Sequence, residues 1–183
     1  MIKFVGSFET VASLPRTQFP EYAFIGRSNV GKSSLINAVV GQNVARTSNT
    51  PGRTQSINLF NLDDRAMIVD LPGYGYARAS RTDTERWLQR LAEYLATRHL
   101  ARLYILIDSR IGARASDLEL MDFCDAHGIG YQVVMTKKDK RVRETQQHEL
   151  SHDAHPAMMA EILETSAEKK FGLDAIRAQI GIK

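Results

Sequence analysis

The run Gly26-Arg27-Ser28-Asn29-Val30-Gly31-Lys32-Ser33 fits the pattern G-x-x-x-x-G-K-[ST], a loop built to hold phosphate. Its glycines lack the Cβ atoms that would keep a ligand away, so successive backbone N–H groups can turn inward onto phosphate oxygens. Lys32 supplies a point charge for the β- and γ-phosphates, and the Ser33 hydroxyl suits a Mg²⁺ ligand. Tyr22-Ala23-Phe24-Ile25 ahead of the loop reads as a short buried strand. Ser34 opens a stretch through Val40 that reads as a helix closed by Gly41. Strand, loop and helix in this order aim a helix N-terminus at the phosphates, and residues 26–34 form the expected phosphate cradle.

Three other segments carry chemistry that complements the loop. Asp70-Leu71-Pro72-Gly73 ends an apolar strand, where a carboxylate can hold Mg²⁺ through a water and the Gly73 N–H can meet a γ-phosphate. Thr136-Lys137-Lys138-Asp139 follows another apolar strand and resembles the [NT]-K-x-D guanine motif. A carboxylate at Asp139 would accept hydrogen bonds from guanine N1–H and the exocyclic amine. Adenine offers no such pair of donors and would leave that charge unpaired. The Lys137 stem can cover the face of the base. Thr165-Ser166-Ala167, after a last short strand, resembles the fifth GTPase motif, in which a backbone N–H near Ala167 would meet guanine O6. In the polar loop of residues 46–54, Thr47, Thr50 and Thr54 all compete as a Mg²⁺ ligand that engages only when γ-phosphate is present.

These segments need a scaffold that gathers strand ends. Further strands are expected at residues 56–62, 66–70, 103–108, 131–135 and 162–164. Asp63-Asp64 makes the second and third of the six strands an antiparallel hairpin. Thr82-Asp83-Thr84-Glu85 and Ser116-Asp117-Leu118-Glu119 read as capping boxes that open helices. The first of these helices carries Trp87, Leu88, Leu91, Tyr94 and Leu95 on one face. A polar helix is expected over residues 142–150 and a final helix from about Phe171. This alternation predicts an α/β fold in three layers. Its six-stranded sheet is mostly parallel with one antiparallel edge strand, and helices cover both faces. Ligands of such sheets bind at the carboxyl ends of the strands, where the segments above fall.

The 183 residues suit one domain, and the 43% hydrophobic content suits a packed core. No apolar run reaches the roughly 18 residues that cross a bilayer, and no membrane partner is expected. Met1–Glu9 carries an early acid and no long apolar core, so it does not read as a signal peptide. The single cysteine, Cys124, precludes an internal disulfide and fits a reducing cytoplasm. Net charge is +3 and the isoelectric point is near 9.1, a balance compatible with an RNA partner. His148, His152 and His155 have spacings that suggest metal ligation but read better as the end of a surface helix.

Together, residues 26–34, Thr50-Pro51-Gly52-Arg53-Thr54-Gln55, Asp70-Leu71-Pro72-Gly73-Tyr74-Gly75-Tyr76-Ala77 and Thr136–Lys140 resemble the EngB (YihA/YsxC) GTPases, relatives of the Era- and TrmE-like P-loop GTPases. The resemblance runs nearly end to end. It implies a single G domain over residues 1–183, and a monomer with no membrane partner is expected. It further implies GTP and GDP as ligands, Mg²⁺ as cofactor, and a role in assembly of the large (50S) ribosomal subunit through rRNA and ribosomal proteins. It selects Thr54 as the Mg²⁺ ligand beside Ser33 and Asp70, with Gly52, Arg53, Thr54, Gln55 and Ser56 lining the nucleotide. Lys32, Thr54, Gly73 and Asn29 are then the residues expected to act in hydrolysis. Ras-like GTPases place a water-orienting Gln after Asp-x-x-Gly, and this chain has Tyr74 there, so intrinsic turnover should be slow. The alternative is a GTP/GDP-binding interaction module with negligible hydrolysis. Asn29 resembles the potassium-coordinating asparagine of related GTPases, which makes K⁺ a second expected cofactor. Arg46, Arg53, Arg78 and Arg81 flank the same face as candidate RNA contacts.

Overall fold

A computed structural model of the chain describes residues 1–45, 56–75, 81–140 and 150–182. Seven strands form one sheet: β1 (Ile2–Phe8), β2 (Glu21–Gly26), β3 (Ile57–Leu62), β4 (Ala66–Asp70), β5 (Leu100–Asp108), β6 (Tyr131–Thr136) and β7 (Leu163–Glu164). Their spatial order is β1-β3-β4-β2-β5-β6-β7. Pairing is parallel from β4 through β7. β3 runs antiparallel to both β4 and β1. The mostly parallel sheet is as expected, but its antiparallel side is one strand wider. β1 escapes the sequence pattern because it is an edge strand: only Ile2 of its seven residues is buried, so no clean apolar alternation marks it.

Alternation along the central strands feeds two cores. Ala23, Ile25, Leu103, Ile105, Ile107, Val133 and Met135 face one side with helices α2 (Arg81–Thr97) and α3 (Ala115–Ala126). Phe24, Tyr104, Leu106 and Val134 face the other with α1 (Lys32–Val40) and α4 (Asp174–Ile180). Period-two patterning thus covers both sheet faces with helices, the condition for a parallel sheet. Leu91 and Tyr94 of α2 are buried as the helical pattern predicts. Cys124 is fully buried on α3, and burial pushes its thiol up to about 12, as befits a packing residue.

Several element starts differ from the sequence reading. α1 begins at Lys32 rather than Ser34, because Gly31 (φ 98°) is itself the left-handed cap. α2 begins at Arg81, so Thr82 lies inside the helix instead of capping it. α3 begins at Ala115 with extended Arg114 as its cap. The reach-back carboxylate is therefore Asp117, which accepts the Arg114 N–H at 2.8 Å, and Ser116 is already helical. Phe171 pairs with Ser166 as an isolated bridge ahead of α4. The polar helix expected at 142–150 lies almost wholly outside the described residues, as does His148. His155 is not on a surface helix end. It is buried, with Nδ1 2.9 Å from an Asp125 carboxylate oxygen.

Candidate functional site

The register of the sheet lines up the chemistry. Phe24 pairs with Asp70, Asp108 with Thr136, and Met135 with Glu164. The carboxyl ends of β4, β2, β5, β6 and β7 therefore deliver the four motif segments to one rim.

At the centre, Gly26 ends β2 where any Cβ would meet Val30 Cγ1 at 2.8 Å and Leu106 Cβ at 3.0 Å. Only glycine lets the loop fold back this tightly. Asn29 takes a left-handed conformation (φ 64°), with Gly31 two residues on. Residues 27–30 then curl back, the Val30 N–H donating to the Arg27 carbonyl at 3.1 Å. Ser28 is half-buried beside the exposed Asn29. Lys32 and Ser33 fall in the first turn of α1, with Ser34 exposed after them.

Asp70 is almost fully buried. Its carboxylate is paired with the Lys32 ammonium on one oxygen and approached by the Asn58 amide at 3.4 Å on the other. Lys32 must exchange this partner for a phosphate if a nucleotide binds. Asn58, on β3, went unnoticed in the sequence; its only signal is a polar residue opposite Asp70 in the hairpin register. Leu71 and Pro72 are buried and Gly73 half-buried. The Leu71 N–H donates to the Phe24 carbonyl at 3.0 Å, and Trp87 Nε1–H donates to the Pro72 carbonyl at 3.1 Å. The Tyr74 side chain turns inward, away from the rim.

The other half of the rim is equally ordered. Thr136 is buried, and its hydroxyl donates to the Val30 carbonyl at 2.7 Å, stitching β6 to the phosphate loop. Lys137 (φ 55°) reaches across to donate to the Asn29 carbonyl at 2.6 Å and the Asp108 carboxylate at 2.9 Å. Asp108 also pairs with Arg110 at 2.7 Å. Burial works to raise this carboxyl, but hydrogen bonds from Arg110 and Lys137 outweigh it and hold it at about 2. The Lys138 ammonium pairs with Glu164, the last residue of β7. Asp139 is exposed in a 3-10 turn. A hydrogen bond with Ser166 holds its carboxyl below the ordinary carboxylate range, with neighbouring lysines adding to the effect. Thr165 is fully buried, its hydroxyl donating to the Met135 carbonyl at 3.0 Å. Ser166 accepts the Lys169 N–H at 3.0 Å, and Ala167 follows half-buried.

Thus the predicted residues 26–34, 70–73, 136–139 and 165–167 are brought together. Of the 52–56 stretch, only Ser56 is described, half-buried just before β3. Gly52, Arg53, Thr54 and Gln55 lie outside the described residues, as do Arg46, Thr47, Thr50, Tyr76 and Arg78. The donor set fits Mg²⁺: a hydroxyl at Ser33 and a carboxylate at Asp70 are hard oxygen ligands on adjoining elements.

The profile of a family described as 50S ribosome-binding GTPase matches residues 21–137. A probable GTP-binding protein EngB of Cereibacter sphaeroides is 45% identical over 181 residues, covering 95% of this chain and 83% of that protein. One from Bartonella quintana is 44% identical over 198 residues, covering 97% and 90%. The fold is similar to a crystal structure of a probable GTP-binding protein engB, with a TM-score of 0.68, 22% identity and coverage of 88% and 96%. It is also similar to Aquifex aeolicus Era bound to GDP.AlF4-, with a TM-score of 0.67, 26% identity and coverage of 90% and 56%. A phosphate loop, a buried strand-end aspartate and an aspartate steadied by Ser166 agree with these likenesses: the chain belongs to the EngB family of P-loop GTPases.

Proposed function

We propose that this GTPase binds GTP and GDP with Mg²⁺, hydrolyses GTP slowly, and serves as a nucleotide-dependent switch in assembly of the large ribosomal subunit. The observation that carries the reading is the convergence of the Lys32 loop, Asp70 and the Asp139–Ser166 pair on one rim. The guanine base would lie at Asp139, with the Lys137 stem against its face, and the phosphates would lie over residues 26–34. Bound Mg²⁺ would neutralise phosphate charge between Ser33, Thr54 and, through water, Asp70. The ribosomal part rests on the family's description and the net charge of +3.

Slow turnover follows from Tyr74. Its buried ring presents no group to a water at the rim, so the help a Gln gives must come from elsewhere. Asn29 is the candidate. Its main-chain carbonyl is engaged by Lys137, while its exposed side chain leaves an amide oxygen for K⁺. GTP turnover measured with and without large subunits, in matched KCl and NaCl, tests this reading. Stimulation by subunits, and faster turnover in KCl, are expected. No turnover under any condition would leave only a binding module, and equal rates in the two salts would remove K⁺.

A further inference from the structure

The segment after Asp70 is fastened to the rest of the molecule at five points. Two are the Leu71 and Trp87 hydrogen bonds already described. The Tyr74 main chain supplies two more: its N–H donates to the Gly26 carbonyl at 3.4 Å, and its carbonyl accepts the Ser28 N–H at 3.1 Å. The fifth is a side chain. Tyr74 Oη donates to Asp117 Oδ1 at 2.7 Å.

That last bond is unusual in its setting. Tyr74 is 6% exposed and Asp117 1% exposed. The Tyr74 ring also packs on Trp87, with centroids 5.2 Å apart. Asp117 sits in the first turn of α3, and its second oxygen accepts the Arg114 N–H at 2.8 Å. A carboxylate held at a helix N-terminus is well placed by the helix dipole. Burial nonetheless pushes both groups upward, the Asp117 carboxyl above its ordinary range and the Tyr74 phenol well above its own. A buried acceptor this costly is retained where its geometry matters. Beside the pair lies Arg27 of the phosphate loop. Its buried Nε has no hydrogen-bond partner among the described residues. A Cβ on Gly75 would fall 2.9 Å from that Nε and 3.1 Å from Ser116 Oγ. The loop, the segment and the start of α3 thus approach one another closely at Gly75.

We propose that Asp117 is a positioning residue: by anchoring the Tyr74 hydroxyl it fixes where Gly73 stands against the phosphate loop, and so sets the preference for a γ-phosphate. The inference rests on the Gly73–γ-phosphate reading given above. Gly73 immediately precedes Tyr74, so a phenol free to shift lets the Gly73 N–H leave its line. GDP has no γ-phosphate and is insensitive to that shift.

The test uses the full chain and three variants: Tyr74→Phe, Asp117→Leu and Asp117→Asn. Affinities for GDP and a non-hydrolysable GTP analogue are measured with steady-state kcat and KM and with thermal unfolding. Tyr74→Phe keeps the ring on Trp87 and removes only the hydroxyl. It should lower the GTP-analogue affinity by roughly five- to tenfold, the range of one buried hydrogen bond, with GDP affinity unchanged. Asp117→Leu should match it, and the double variant should be no worse than the worse single one. Asp117→Asn keeps a carbonyl oxygen for the Arg114 N–H and turns its amide N–H toward the Tyr74 hydroxyl oxygen, so the anchor persists with its direction reversed, and the variant should restore the wild-type ratio of the two affinities. A Tyr74→Phe variant that unfolds at lower temperature but keeps the wild-type affinity ratio and kcat would overturn the proposal. If Asp117→Leu fails to fold, Tyr74→Phe and Asp117→Asn decide it alone. A wild-type protein that binds the analogue no better than an adenine nucleotide would instead overturn the guanine reading beneath it.

Discussion

Asp139 is the residue on which base selection should turn. Its exposed carboxylate is kept ionised by Ser166 and nearby lysines, ready for two donors of guanine. Asp139→Ala should weaken GTP by at least about 100-fold, since a charge-assisted bidentate contact is lost, and leave ATP as weak as before. Competition of GTP and ATP against a fluorescent guanine nucleotide checks this. Asp108 makes a pH prediction. Its folded-state carboxyl, at about 2, lies below the ordinary 3.8, so folding favours its ionised form. The resulting stabilisation is fully present above about pH 4 and is lost as pH falls toward 2. With solvent screening discounted, it amounts to about 1–2 kcal/mol. Wild-type protein should therefore lose more stability between pH 5 and pH 3 than Asp108→Asn, measured as urea midpoints. Equal losses would place that pH dependence on other carboxyls. Asp108 ends an apolar strand just as Asp70 does, a shared position that could have marked it in the sequence but was not singled out. Its partnership with Lys137 spans 29 residues and was not legible, because no spacing rule links two strand ends.

At the level of elements, the two ends of the strands divide the labour. The carboxyl ends build the site, and the amino end of β2 builds stability. There Glu21 is 1% exposed and accepts Tyr94 Oη at 2.6 Å and Arg98 Nη2 at 2.5 Å. Removing one partner strands a buried charge. Glu21→Ala should cost about 3–5 kcal/mol by urea denaturation while leaving nucleotide affinity at its wild-type value. A loss of affinity in protein that is still folded would show that the two ends are coupled. The central strands were legible because burial on both faces writes long apolar runs into the chain. Element starts were less so. At α1 the left-handed Gly31 lets the helix begin on the phosphate-binding Lys32 itself, so the functional loop and the helix overlap. At α3 the Ser116 box looked complete, yet Asp117 made the reach-back bond to Arg114, two positions earlier than that pattern implied. β1 was missed because an edge strand needs little apolar patterning.

Across the whole molecule, motif order carried more than any one motif. The phosphate loop identified a phosphate site, and Asp139 made guanine its expected base. The sheet register explains why residues 26, 70, 136 and 165 share a rim although more than a hundred positions separate the first from the last. The sequence did not reveal the direction of the Tyr74 side chain. Its type shows that no Gln is present, and only packing shows that its hydroxyl is committed to Asp117. Co-sedimentation with purified large ribosomal subunits in GDP, GTP and a non-hydrolysable GTP analogue tests the central claim most directly. The protein should pellet with subunits in the analogue and in GTP, and stay in the supernatant with GDP. Equal pelleting in all three nucleotides, or none in any, would contradict a nucleotide-dependent switch on that subunit.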